Sequence, residues 1–309
     1  LISLRSIGPD ETSLVSATGD GAEAVTIRGY FDDLLRKGST TLDWCMLAER
    51  DGTPVGSAAL SAFPGGETPA SIVLIEAPWH DPALAAEVVA AVSGRARDLG
   101  AGELTYAIDT PRSAPRFMSH PAEREAAFLA AGFGLLRDGM RWRWTAEKAV
   151  PVPDDRLVFR TLPEIGRESY VDILAATMEG SADSELAAMT DAGGLRGAGE
   201  KIFDLMMGFD HAAEWYEIGF DQAGDPVGVS MPARNATMAV IGHVGVTPAH
   251  RRKGYATAIV ARGTAILAAA GEKTIVGDCD SSNTGIIKAF TANGYDNFVN
   301  RREFGLTFS

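Results

Sequence analysis

Apolar and polar residues alternate from Leu1 to Ile7, as along a half-buried strand, and helical spacing follows between about Asp10 and Arg36. Trp44, Met46 and Ala48 alternate with Cys45, Leu47 and Glu49, which predicts a strand over Asp43 to Arg50. Asp51-Gly52 is a two-residue turn signal, so Thr53 to Phe63 is expected to return as a hairpin partner ended by Pro64-Gly65-Gly66. Ser71 to Ala77 reads as an apolar strand, and Pro82 to Leu99 as an alanine-rich helix closed by Gly100. Glu103 to Ile108 is a strand, Pro121 to Ala131 a helix stopped by Gly132, and Arg137 to Trp144 a last strand.

The period is lost between Glu147 and Asp155, a stretch that includes Pro151 and Pro153. Residues 148–156 are therefore expected to form a linker. Beyond it Leu157 to Leu162 is a strand, and Glu164 to Met178 and Ala198 to Met207 are helical. Glu214 to Asp221 and Pro226 to Pro232 form a hairpin, then come the strand Ala239 to Val246 and a helix Thr257 to Ala270 capped by Gly271. Thr274 to Cys279 is a strand, Thr284 to Ala292 a helix, and Phe298 to Phe308 is expected to close the sheet.

The two halves repeat one another. Trp44 leads to Pro54-Val55-Gly56 as Trp215 leads to Pro226-Val227-Gly228, and Ala127 to Phe133 echoes Ala289 to Tyr295. A long-period echo of this kind means two copies of one unit. The expected fold class is α/β (α+β), with a first domain over 1–147 and a second over 157–309. Each has a mixed, mostly antiparallel central sheet flanked by helices.

Composition narrows the function. A chain of 309 residues with 46 % hydrophobic content builds about two cores. There is no run of 18 apolar residues, so no membrane span is expected, and Leu1-Ile2-Ser3-Leu4-Arg5 turns polar too early for a secretory leader. The 2 cysteines, Cys45 and Cys279, make no disulfide framework, which fits a reducing cytoplasm. A net charge of −13 argues against a nucleic-acid partner and is compatible with a cationic acceptor as well as with simple solubility.

One stretch stands against that acidity. Pro248 ends the strand Ala239 to Val246, then Arg251, Arg252, Lys253 and Gly254 precede a helix that begins near Ala256. A strand, a basic glycine turn and a helix start together make an anion site, because exposed N–H groups and the positive helix end face the same point.

Arg251-x-x-Gly254-x-Ala256, preceded by Val246-x-Pro248, resembles the pyrophosphate loop of the GNAT acyltransferase superfamily. Asn283, Ile286, Phe290 and Gly294-Tyr295 resemble its downstream helix, with substitutions. The match covers roughly residues 157 to 309. The resemblance implies acetyl-CoA as donor, no metal, and a small-molecule amine as acceptor, attacked directly in a ternary complex. It also implies that Val244, Gly245 and Val246 offer backbone groups to the pantetheine arm. Arg251 and the amides of Arg252, Lys253, Gly254, Tyr255, Ala256 and Thr257 would hold the pyrophosphate, and Asn283 would sit near the pantetheine or the thioester sulfur. Phe290 stands where many members have the tyrosine that donates to the departing thiolate, and phenylalanine has no proton to give.

The first copy departs further. Where the second has Thr247 to Gly254, the first has Ala77-Pro78-Trp79-His80-Asp81-Pro82-Ala83-Leu84, with a repelling Asp81 and a Pro82 that lacks an N–H. It reads as a degenerate copy with a structural role. His243 is the candidate general base, since imidazole titrates near neutrality and the resemblance implies that its strand face points toward the acceptor. Asp278 and Asp280 are candidates to hold an ammonium or relay its proton, or else cap the following helix. Glu179, Asp183 and Glu185 read either as acceptor-side charge or as a solvated acidic loop. Two other readings stand beside the enzyme: a non-catalytic acyl-CoA-binding or interaction protein, and a tandem acetyltransferase of the mycothiol synthase type. Monomer and homodimer are both compatible with an internal repeat.

Overall fold

The structure, a computed structural model, describes residues 1–17, 19–235 and 238–308. They divide into two compact units, Leu1–Asp138 with Asn300–Ser309, and Gly139–Val299. The first contains β1 (Ile2–Ser6), α1 (Thr12–Val15), α2 (Ala22–Arg36), β2 (Cys45–Arg50), β3 (Thr53–Ser61), β4 (Ser71–Glu76), α3 (Pro82–Asp98), β5 (Glu103–Thr110) and α4 (Pro121–Ala130). β6 (Gly134–Thr145) leads to the second, which holds β7 (Val158–Thr161), α5 (Leu162–Ile165), α6 (Arg167–Met178), α7 (Ser184–Met207), β8 (Glu217–Phe220), β9 (Pro226–Arg234), β10 (Ala239–Val246), α8 (Tyr255–Ala269), β11 (Thr274–Asp280) and α9 (Thr284–Ala292). β12 (Asp296–Thr307) ends the chain.

The strand order is β1-β2-β3-β4-β5-β12 in the first unit and β6-β11-β10-β9-β8-β7 in the second. Pairings are antiparallel except β4 with β5 and β10 with β11. The Asp51-Gly52 turn has φ of 52 and 76, which brings Arg50 opposite Thr53 and sets the hairpin register as its sequence predicts. The echo at the ends of α4 and α9 is structural too. Gly132 and Gly294 take φ of 94 and 78, and the amides of Phe133 and Tyr295 reach back to the carbonyls of Phe128 and Phe290 at 3.1 and 3.0 Å.

Each sheet is covered on both faces. In the first unit Val88, Val89 and Val92 of α3 pack with Tyr106, Phe128 and Phe304, and Val15 and Phe31 cover Cys45 and Leu47 on the other side. In the second, Tyr170, Leu174, Met178, Phe203 and Met206 cover one face, and Val260, Leu267, Phe290 and Tyr295 the other with Trp142 and Trp144.

Several expected boundaries differ. The units part at Asp138/Gly139 and Val299/Asn300 instead of within 148–156. β6 pairs with β11 from Gly139 to Thr145, and β12 pairs with β5 from Asn300 to Thr307. From Asn300 on, the stretch expected to close the second sheet therefore pairs within the first unit. The expected linker is partly tied down as well, since Trp144 Nε1 donates to the Ala149 carbonyl at 3.4 Å and Lys148 Nζ pairs with Asp296 at 2.6 Å. The helix expected from Ala198 begins at Ser184, where Asp183 caps two amides, and a kink at Gly194 (φ 70) hides its continuity from a periodicity count. The helix expected from Glu164 is broken by Gly166 at φ 80 into α5 and α6. No helix among the described residues is long and apolar enough to cross a membrane, and no group of His, Cys, Asp and Glu among them is arranged to hold a metal ion.

Candidate active site

The parallel strands β10 and β11 are paired only at Ala239 with Ile275 and Val240 with Val276. Beyond those two pairs they part. β10 stays on β9 as far as Val246, and β11 stays on β6 as far as Asp280. The facing edges of Ile241–Val246 and Gly277–Asp280 thus diverge into a wedge. A register shift between Ile241 and His243 marks a bulge in β10 at the mouth of the wedge, and a bulge bends its strand.

The basic turn follows directly. Pro248–His250 is a single tight turn, held by Thr247 Oγ1 on His250 Nδ1 at 2.9 Å. Arg252 adopts φ 64 and Gly254 φ 83. A left-handed arginine costs on the order of 1 kcal/mol and marks a backbone bent for a purpose. It leads into α8, whose first turn no side chain caps and no acidic residue occupies. The amides of Arg252 to Ala256 and the positive end of α8 are therefore arranged as an anion site needs, while the Thr257 amide, expected to join them, donates to the Gly254 carbonyl at 3.1 Å. The sequence missed one cation here. Arg156, in the expected linker, donates from Nη1 to the Lys253 carbonyl at 3.1 Å and lies 4.8 Å over the Tyr255 ring. Its position shows only in three dimensions, because it is distant in sequence from the loop it supports.

Arg251 takes another role. Its guanidinium donates to the carbonyls of Val246 (3.1 Å), Gly180 (3.1 Å) and Thr177 (3.0 Å), so the side chain is spent on backbone acceptors.

His243 is 9 % exposed and sits opposite Met231, which packs with Tyr170 and Met206. Cross-strand neighbours share a face, so the imidazole lies on the α6 and α7 side. Gly245 is on that side also, since a Cβ built there would lie 2.2 Å from Thr177 Oγ1. His243 Nε2 is buried with no hydrogen-bond partner among the described residues, and burial pulls the imidazole down to about 4. It is neutral at pH 7.

The other candidates do not converge on it. Asp278 is half-exposed and accepts from Arg141 Nε at 3.2 Å. Asp280 is buried and accepts the Ser184 amide at 2.7 Å, at the start of α7. Asn283 caps α9 by accepting from the Ile286 amide at 3.3 Å. Phe290 is buried, stacked on Trp142 with ring centroids 5.9 Å apart, and its Cζ fills the space left by Gly277. Glu179 is exposed, and Asp183 is the cap of α7.

The equivalent wedge of the first unit has different contents. β4 and β5 pair only at Ser71 with Thr105. Buried Arg124 then donates to the Ile75 carbonyl (2.8 Å), the Tyr106 hydroxyl (2.9 Å) and Glu76 (2.5 Å), and lies 4.2 Å over Trp79. Tyr106 stacks on Phe128 at 3.9 Å, whereas at Gly277 in the second unit the ring of Phe290 itself fills the space. Asp81 caps α3 by accepting from the Leu84 amide at 3.1 Å, where a phosphate would need the same donors. A cavity of about 330 Å³ does open in this unit, between aliphatic walls that include Leu14, Leu47, Val55 and Ala77.

Residues 197–295 match the Acetyltransferase (GNAT) family. Over 299 residues, 95 % of each chain, the sequence is 26 % identical to the mycothiol acetyltransferase of Thermobispora bispora. A GCN5-related N-acetyltransferase from Sphaerobacter thermophilus shares the fold with a TM-score of 0.60 at 14 % identity, covering 99 % of this chain and 95 % of that one. A tandem GNAT protein from the clavulanic acid biosynthesis pathway gives 0.51 at 15 % identity, with 99 % and 98 % covered.

Proposed function

We propose, for a chain that is a GNAT-type acyltransferase, that the second unit binds acetyl-CoA and passes its acetyl group to a primary amine of a small molecule by direct attack. The observation that carries this reading is the wedge between β10 and β11 opening beside an uncapped α8. The pantetheine arm, with its alternating amide groups, runs along the edge of Val244 and Gly245 that faces away from β9, while the Val246 carbonyl is held by Arg251. The diphosphate meets the amides of Arg252 to Ala256. On the α6 and α7 side the neutral imidazole of His243 accepts a hydrogen bond from the amine, or from a water beside it, and takes its proton as the C–N bond forms. Phe290 leaves the thiolate without a tyrosine donor, and a coenzyme A thiol is acidic enough to depart alone. The first unit, with Arg124 in its wedge and Asp81 on its helix, supports the fold and binds no donor.

Titration calorimetry with acetyl-CoA is expected to give one site per chain, and an amine panel is expected to release coenzyme A thiol in proportion to acceptor. Gly254→Asp is expected to abolish binding with little loss of fold, because a side chain is disfavoured at φ 83 and its charge opposes the diphosphate. Unchanged affinity in that variant would move the phosphate site elsewhere. A cysteinyl sugar amine is the second acceptor reading, supported by the likeness to a mycothiol acetyltransferase along nearly the whole chain. It belongs first in the panel.

A further inference from the structure

We propose that Arg251 is a positioning residue that couples the donor loop to the acceptor side of the site. This rests on the reading of Arg252 to Ala256 as the donor cradle. The family-type loop begins with this arginine, yet its guanidinium points away from the amide cradle. Two of its three acceptors, Thr177 and Gly180, belong to the C-terminal end of α6 and the turn after it. The third, Val246, is the last residue of β10. One planar cation therefore joins the strand end, the cradle and the segment that leads from α6 to α7.

The far end of that segment is held independently. Asp280, the last residue of β11, accepts the Ser184 amide at 2.7 Å and so anchors the start of α7. The segment from Thr177 to Ser184 is pinned at one end by the β10 side of the wedge and at the other by the β11 side. Thr177 itself is pressed on the strand, since a Cβ at Gly245 would strike its side chain. The acceptor-side face of His243 lies along this same strand. A ligand that fixes the backbone of Arg251 by binding the adjoining amides fixes the guanidinium, and with it the wall of the acceptor subsite. Donor binding then orders the place where the acceptor arrives, which favours donor before acceptor without any contact between the two ligands.

Hydrogen exchange of the full chain with and without coenzyme A tests this, because it needs no acceptor. In the wild type, coenzyme A is expected to slow exchange of amides between 178 and 184 about tenfold. In Arg251→Gln that segment is expected to exchange faster by a similar factor, since charge-assisted bonds to three carbonyls are lost. Coenzyme A should no longer slow it, while calorimetric affinity changes less than about threefold. Arg251→Lys should restore part of the protection, and Asp280→Asn should loosen only the Ser184 end. Protection by coenzyme A that persists in Arg251→Gln would overturn the proposal. So would a large loss of affinity with the segment unchanged, which would make the guanidinium a phosphate ligand. Absence of coenzyme A binding in the wild type would be seen before any variant, and would overturn the donor reading itself.

Discussion

A buried imidazole with an unpartnered nitrogen ties stability to pH in a defined direction. His243 has its folded value lowered to about 4 by burial, below the ordinary 6.5 that it regains on unfolding. Between pH 6.5 and 4 the unfolded chain binds a proton that the folded chain does not. Stability is complete above 6.5 and is lost as the pH falls through that window, by about 3 kcal/mol in all. Chemical denaturation at pH 7 and pH 4 is expected to show a smaller loss for His243→Asn than for the wild type, by about that amount. Parallel losses would mean that the histidine is not held neutral in the fold. At the same scale, the sequence identified the loop residues by type but not the use of their side chains. Arg251 reads as a phosphate cation by position and serves as a clamp on backbone carbonyls. Asp280 and Asn283 read as site residues and are helix anchors, one on the Ser184 amide and one on the Ile286 amide. A carboxylate or amide at a strand end satisfies whichever amide packing brings to it, and sequence spacing does not say which.

Elements with a local cause were legible. The β2–β3 hairpin follows from Asp51-Gly52, and α3 from its alanine-rich run stopped by Gly100 at φ 89. α7 was read only in its second half because a glycine pair interrupts its period and its cap lies far upstream. The two wedges show how like elements take unlike contents. In the first unit Arg124 of α4 reaches the Ile75 carbonyl of β4 and the Tyr106 hydroxyl of β5. Arg124→Met is expected to cost about 2 kcal/mol in urea denaturation, since buried acceptors lose their donor. The acetyl-CoA stoichiometry is expected to stay at one, because Asp81 still caps α3. A second equivalent bound by this variant would make Arg124 alone the barrier.

At the scale of the molecule, strand membership does not follow chain order. The second unit takes β6 from residues 139–145, and the first takes residues 300–307 of β12, whose Phe304 is fully buried beside Tyr106 and Phe128. Arg301 adds an ion pair to buried Asp109 at 2.7 Å. Deleting residues 300–309 is expected to destabilise the first unit by at least about 3 kcal/mol, the usual cost of removing a buried aromatic alone. Limited proteolysis should then cut first within 1–138, while acetyl-CoA still protects the loop at 251–257. First cleavage in the second unit would contradict this strand assignment.

The amino-acid sequence by itself determined what depends on near neighbours: turns, caps, strand alternation, the internal repeat and the basic glycine loop with its implied donor. Each is set by backbone preference or by side chains a few residues apart. The tertiary structure alone decided where strands part to form a wedge, which sheet each late strand completes, and which carbonyls take the charge of Arg251 and Arg124. Those outcomes depend on partners dozens of residues away, chosen by packing and by the need to satisfy every buried polar group.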